Sequence, residues 1–148
     1  MDCVLSYCHY SLNDTSLREF LPLLATNGIG IINAAALSMG LLTDQGPPAW
    51  HPATADIQLT CKRAVEFCRK RGENIAELAL EFALTQPDIH TTLVGMASVD
   101  ELQRNLKSVG KIPDPVLLAQ VQEILAPIQN KSWSIPGQLI LDEDPPVE

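Results

Sequence analysis

Residues 28–37, GIGIINAAAL, decide the fold. The run is apolar almost throughout and lacks the polar alternation of a strand with one wet face. It therefore reads as a strand covered on both sides, the kind found in parallel sheets. Gly28 and Gly30 are not a dinucleotide fingerprint, because the third glycine and the following helix are missing; they end one element and begin the next. The alanines at the far end predict a close approach to the strand's C-terminal end.

Upstream, CVLSYC at residues 3–8 has the same two-sided apolar character. Between the two strands, Leu17, Phe20, Leu21 and Leu24 repeat at helical spacing, with Ser16 and Glu19 as a capping box and Gly28 as the stop. Pro22 lies inside that pattern, where it removes a backbone hydrogen bond and clashes with the Arg18 carbonyl, so a kink or a late helix start is expected.

Downstream, the loop LSMGLLTDQGPPAWHP leads to a helix capped by Thr54 and ended by Gly72, with Ile57, Cys61, Ala64, Val65 and Cys68 facing inward. Asn74 and Glu77 open another, whose inner stripe is Ile75, Leu78, Ala79, Phe82 and Ala83. IHTTLVG, residues 89–95, is a third strand. Ser98 and Glu101 cap a helix with Leu102, Leu106 and Val109 facing inward, and Asp114-Pro115 opens a last one carrying Leu117, Val121, Ile124 and Ile128 on one face. The order β-α-β-α-α-β-α-α describes an α/β protein with parallel strands and crossover helices. Residues 1–131 form this unit, and 132–148, with three prolines and four acids, read as an extended tail.

The 148 residues suit one domain, 46% hydrophobic and 19% charged. A net charge of −8 repels a phosphate backbone, and the cluster Lys62, Arg63, Arg69, Lys70, Arg71 reads as a solvated helix face, so nucleic acid is not an expected partner. No apolar run approaches the roughly 20 residues of a membrane span. The four cysteines follow no metal spacing and read as reduced thiols, and residues 2–10 lack the regions of a signal peptide, so a cytoplasmic location is expected. Three parallel strands leave both outer strands with unpaired edges, so the chain reads as the back portion of something larger.

At VLSYCHY (4–10), INAAALSMGLLTDQGPPAWHP (32–52) and TLVGMASVDELQRNL (92–106), the sequence resembles the aldo-keto reductases, nearest to their L-galactose dehydrogenase branch. The resemblance implies a partial (β/α)8 TIM barrel, the three strands corresponding to the sixth, seventh and eighth with their helices and a C-terminal helix. It also implies that the first five β/α units are absent from this chain. The family transfers a hydride between a nicotinamide cofactor and a carbonyl or alcohol with an Asp, Tyr, Lys and His tetrad on the earlier strands, so no catalytic residue carries over.

What does carry over is part of the dinucleotide site. The loop that wraps the pyrophosphate matches Ala35, Ala36, Leu37, Ser38, Met39, Gly40, Leu41 and Leu42, with alanines where the family has serine and proline, which implies a looser hold. The position of a nicotinamide-holding Gln is Leu5, and that of a stacking aromatic is Ala34. Gly95, Met96, Ala97 and Ser98 turn into a helix N-terminus suited to a cofactor phosphate. Asn105 matches an adenine-side Asn, and Glu101 falls where many NADP-preferring members have Arg or Gln, so NAD is expected over NADP. His9, Tyr10, Trp50 and His51 are candidate substrate-lining residues, and no metal is implied. Three readings stay open: a truncated reductase inactive alone, a non-enzymatic module that binds a dinucleotide, itself or another chain through its strand edges, and an enzyme completed in trans.

Overall fold

Three short strands, β1 (Cys3–Tyr7), β2 (Gly30–Ala34) and β3 (Thr91–Leu93), pair in parallel in the order β1-β2-β3. The structure is a computed structural model and describes residues 2–133; from residue 134 on, the expected tail lies outside the described residues. In the register, Leu5 stands beside Ile32 and Ile32 beside Thr91, so Cys3, Leu5 and Tyr7 share one sheet face with Gly30, Ile32, Ala34, Thr91 and Leu93. Parallel strands need crossovers, and these are α1 (Leu21–Thr26) after β1 and the pair α2 (Ala55–Lys70) and α3 (Ile75–Leu84) after β2. Then α4 (Val99–Ser108) packs on α3, and α5 (Pro115–Leu125) packs on α2.

The inner stripes of α2 and α3 are buried as their spacing predicts, and with Leu21, Ile31, Val121, Leu125 and Ile128 they form the core. Caps follow local chemistry. Asn74 accepts from the N–H groups of Ala76 and Glu77, and Asp114 from those of Val116 and Leu117 at 2.9 and 2.7 Å. Thr54 differs: it flanks α2, but its hydroxyl bonds the Asp56 carboxylate instead of a backbone N–H.

Other expectations need correction. Ser16 and Glu19 do not form a capping box; residues Ser16–Glu19 are a 3-10 turn, and Asp14 accepts from both the N–H (2.9 Å) and the hydroxyl (2.6 Å) of Ser16. As Pro22 led us to expect, the regular helix starts late, at Leu21, which leaves Pro22 in the first turn where its missing N–H costs nothing. The strands are shorter than their apolar runs, since only the residues with a paired neighbour join the ladder.

The largest correction concerns coverage. The helices pack over the face that carries Ile31 and Asn33, while Leu5 (51% exposed), Tyr7 (43%) and Leu93 (48%) on the other face stay open. Leu102 and Leu106 of α4 and Val109 just after it, expected to face inward, are likewise exposed. An apolar pattern states what an element is able to bury, not what is present to cover it.

All four cysteines are free, and Cys8, Cys61 and Cys68 are buried. Burial pushes the Cys61 thiol up to about 12, and burial with the nearby Asp14 carboxylate does the same for Cys8, so neither is a ready nucleophile. Among the described residues, no helix is long and apolar enough to cross a membrane. The contrast between core and open face is measurable: Leu125→Ala should cost about 2–5 kcal/mol in a denaturant melt, and Leu106→Ala about 0.5 kcal/mol or less.

Candidate functional site

Because the strands are parallel, the segments that follow them gather at one end of the sheet, and the backbone there is unusual. Cys8, Ala35, Ser38 and Met39 all have positive φ, between 48° and 67°. Non-glycine residues in this region cost of order 1–3 kcal/mol and persist only when their surroundings fix them. A buried polar network fixes them. Asn13 Oδ1 accepts from the Ser38 hydroxyl at 2.6 Å and from the Ser11 hydroxyl at 3.2 Å, all three residues being fully buried.

The same network reaches the end of the helical layer: the Asn130 N–H donates to the Asn13 carbonyl at 3.0 Å, and the Thr15 N–H donates to Asn130 Oδ1 at 2.8 Å. His51 holds the far side of the second loop. Its Nδ1 accepts from the Ala53 N–H at 3.1 Å, which makes Nε2 the protonated nitrogen that donates to the Ser38 carbonyl at 3.2 Å.

Two cavities open on this end. One, of about 510 Å³, lies over the open sheet face and is lined by Tyr7, Ala34, Ala35, Leu37, Gly40 and Gly95 among others. The second, of about 240 Å³, is lined by Asp44, Asn74, Glu77, Glu101, Arg104 and Asn105 together with Leu37 and Gly95. Leu37 and Gly95 line both. At the start of α4, the Ala97 N–H donates to the Glu101 carboxylate at 2.6 Å and the Glu101 N–H to the Ser98 hydroxyl at 3.2 Å, so a capping box already holds two of the donors expected to be free for a phosphate.

Of the sequence-derived candidates, Ala35, Leu37, Gly40, Gly95, Glu101 and Asn105 line these cavities. Ser38 and Leu41 are buried behind them, Met96 is exposed, and Ser98 is the N-cap of α4. Tyr10 lies in the core, its ring stacked on Phe82 at 5.4 Å and its hydroxyl accepting from Arg18. His51 is buried while Trp50 is 70% exposed. Sequence reasoning did not single out Ser11, Asn13 or Asp14. The signal available for them was a polar run, S-L-N-D, directly after an apolar strand.

His9 is the half-exposed member of this end. Its Nδ1 lies 3.5 Å from the buried Asp14 carboxylate and 3.2 Å from the Ser16 hydroxyl, which itself donates to Asp14. The bond to Asp14 raises the imidazole above its ordinary value, against the opposing effect of burial. Burial alone would push the Asp14 carboxyl up, but the bonds from His9 and Ser16 outweigh it and hold the carboxyl below its usual range.

Three parallel strands joined by crossover helices, with a site at the strands' C-terminal ends, define a section of a β/α barrel. The chain belongs to the aldo/keto reductase family, whose model matches residues 1–125. It is 42% identical over 137 residues to L-galactose dehydrogenase of Arabidopsis thaliana, a match covering 90% of this chain and 43% of that protein. It is 29% identical over 106 residues to D-arabinose 1-dehydrogenase of Saccharomyces cerevisiae, covering 70% of this chain and 32% of that protein. An aldo-keto reductase from Bacillus halodurans, solved in its holo form, superposes with a TM-score of 0.60 at 19% identity over 90% of this chain and 44% of its own. The chain thus spans less than half the length of each.

The His9–Asp14 pair sets a pH window. The His9 contribution to stability is fully present below 6.5 and is lost as the pH rises through the raised folded value, whereas the Asp14 contribution is present above 3.8 and is lost as the pH falls through the lowered one. Asp14→Asn should bring the His9 titration midpoint, followed by NMR of the ring protons, back down toward or below 6.5. An unchanged midpoint would mean that Asp14 is not the cause.

Proposed function

We propose that residues 1–131 form the C-terminal, cofactor-binding section of a nicotinamide-dependent aldo-keto reductase that acts on a sugar or a related alcohol or carbonyl. The observation that carries this reading is the pair of neighbouring cavities that share Leu37 and Gly95 in their lining. They lie side by side between the open sheet face and the start of α4, an arrangement that suits a two-part ligand: a flat apolar head over Ala34 and Ala35, and a polar nucleoside end beside Asn105 and Glu101. The sugar class is supported by the names of the two relatives, L-galactose dehydrogenase and D-arabinose 1-dehydrogenase.

In this reading Ala35, Leu37, Gly40 and Gly95 contact the cofactor, Glu101 and Asn105 flank its adenosine end, and Ser38, Leu41, Tyr10 and His51 hold the loops from behind. His9 and Trp50 are the accessible candidates for the substrate side. Met96 and Ser98 border the phosphate position. When bound, the nicotinamide supplies the hydride chemistry, and this chain supplies its seat; the chain alone turns over no substrate. Free thiols fit a cytoplasmic setting.

NAD is the proposed dinucleotide. Asp44, Glu77 and Glu101 outnumber Arg104 around the smaller cavity, and a carboxylate beside a 2′-phosphate costs about 1 kcal/mol or more. Calorimetric titration of the purified chain should give saturable heat with NAD and weaker binding with NADP. Tighter NADP binding, or no heat with either, would overturn the reading. Glu101→Gln, which keeps the cap, should improve NADP affinity by roughly fivefold and leave NAD nearly unchanged.

A further inference from the structure

Ser38 stands where the second loop turns most sharply. It and Met39 have positive φ, while Leu37, Met39 and Gly40 on either side line the larger cavity and Leu37 lines the smaller one as well. Two side chains grip Ser38 by different groups: Asn13 Oδ1 accepts from its hydroxyl at 2.6 Å, and His51 Nε2 donates to its carbonyl at 3.2 Å. Asn13 and Ser38 are fully buried and His51 nearly so, which keeps bulk water from competing for either bond. The position of the turn then depends on what holds Asn13 and His51.

Both are backed by one short segment. After α5, Ala126–Ile128 make a 3-10 turn, and the chain leaves it through Asn130, whose φ of 59° is left-handed. The Asn130 N–H donates to the Asn13 carbonyl at 3.0 Å, and Asn130 Oδ1 accepts from the Thr15 N–H at 2.8 Å and from Gln129 Nε2 at 3.1 Å, which fixes the loop that carries Asn13. Three residues on, the Trp133 ring meets the His51 imidazole at 63° with centroids 5.0 Å apart. Two paths, Asn130 to Asn13 and Trp133 to His51, thus converge on Ser38 from a segment distant in sequence. We infer that Asn130 and Trp133 are positioning residues for the turn at Ser38 and Met39, and through it set how tightly the neighbouring cavities hold a dinucleotide. Each acts by limiting the freedom of a residue that grips the turn. Left-handed backbone at Ser38 and Met39 is strained, so a loosened grip lets the turn relax away from the shape that lines the cavities.

The ligand in this inference rests on the cofactor reading above; the effect on the turn does not. Two measurements on the purified chain test it: calorimetry with NAD, and amide exchange at Gly40, Leu41 and Leu42, whose N–H groups donate to the Leu37 and Ser38 carbonyls within the turn. Asn130→Gly keeps the left-handed backbone and its N–H and removes the side-chain acceptor, and Trp133→Leu keeps apolar bulk and removes the ring. Asn130 is exposed and Trp133 only partly buried, so both variants leave the core intact. Each should weaken NAD binding roughly three- to tenfold and speed exchange at the three amides by a similar factor. Trp133→Phe should recover most of the loss, and Lys131→Ala, which removes an exposed contact with Asp56 in the same segment, should change neither readout. A lowered melting temperature with both readouts unchanged would make the segment merely structural and overturn the inference. So would a change in one readout without the other, an equal effect of Lys131→Ala, or a collapse of the fold in either variant. If the unmodified chain gives no heat with NAD, the cofactor reading has failed and exchange decides alone: faster exchange in the Asn130→Gly and Trp133→Leu chains upholds the positioning role, and unchanged exchange ends it.

Discussion

A parallel strand reaches its neighbour only through a crossover, and a crossover helix covers only one side of the sheet. Most of this molecule follows from that constraint. It requires α1 between β1 and β2 and the α2–α3 pair between β2 and β3, and it buries Ile31 and Asn33 under the helices while Leu5, Tyr7 and Leu93 stay open. It also sends every strand the same way, so the segments after β1, β2 and β3 meet at one end. The cavities are there because the connections are there.

What makes that end a site and not a set of loose loops is the buried polar network beneath it. Left-handed residues at Cys8, Ala35, Ser38 and Met39 turn the chain sharply after two adjacent strands, and Asn13, Ser11 and Ser38 tie the two turns together. His51 then fixes the second loop from its far side, and Asn130 anchors the first to the final turn of the helical layer. Net contributions of about 0.5–1.5 kcal/mol per hydrogen bond are of the same order as the strain they hold. Where the family pattern has serine and proline and this sequence has Ala35 and Ala36, hold on the loop comes from this underlying network.

The legible parts of the fold were those in which cause and effect lie within a few residues. Asn74, Ser98 and Asp114 cap their helices because a cap acts over two or three positions, and the α2 and α3 stripes are buried because α2 lies between two other helices and α3 is covered in turn. Ser16 and Glu19 matched a capping pattern, yet Asp14 took the role, since a buried carboxylate two residues upstream competes for the same N–H. The network of Asn13 with Ser38 joins residues 25 apart and has no periodicity to betray it. The α4 leucines mislead for a different reason: spacing identifies a stripe but carries no information about its cover.

At the start of α4, two roles that look alike in sequence exclude one another in space. A helix N-terminus attracts a phosphate through its free N–H donors, and a capping box stabilises the helix, typically by about 0.5–2 kcal/mol, by occupying those donors. Here Ser98 and Glu101 hold the N–H groups of Glu101 and Ala97. An anion that takes the Ala97 N–H must displace the Glu101 carboxylate, exchanging an intramolecular bond for an intermolecular one. The gain from the helix dipole is then reduced by the lost bond. The Glu101 carboxylate thus opposes an anion at this turn twice over, by repulsion and by competition for the Ala97 N–H.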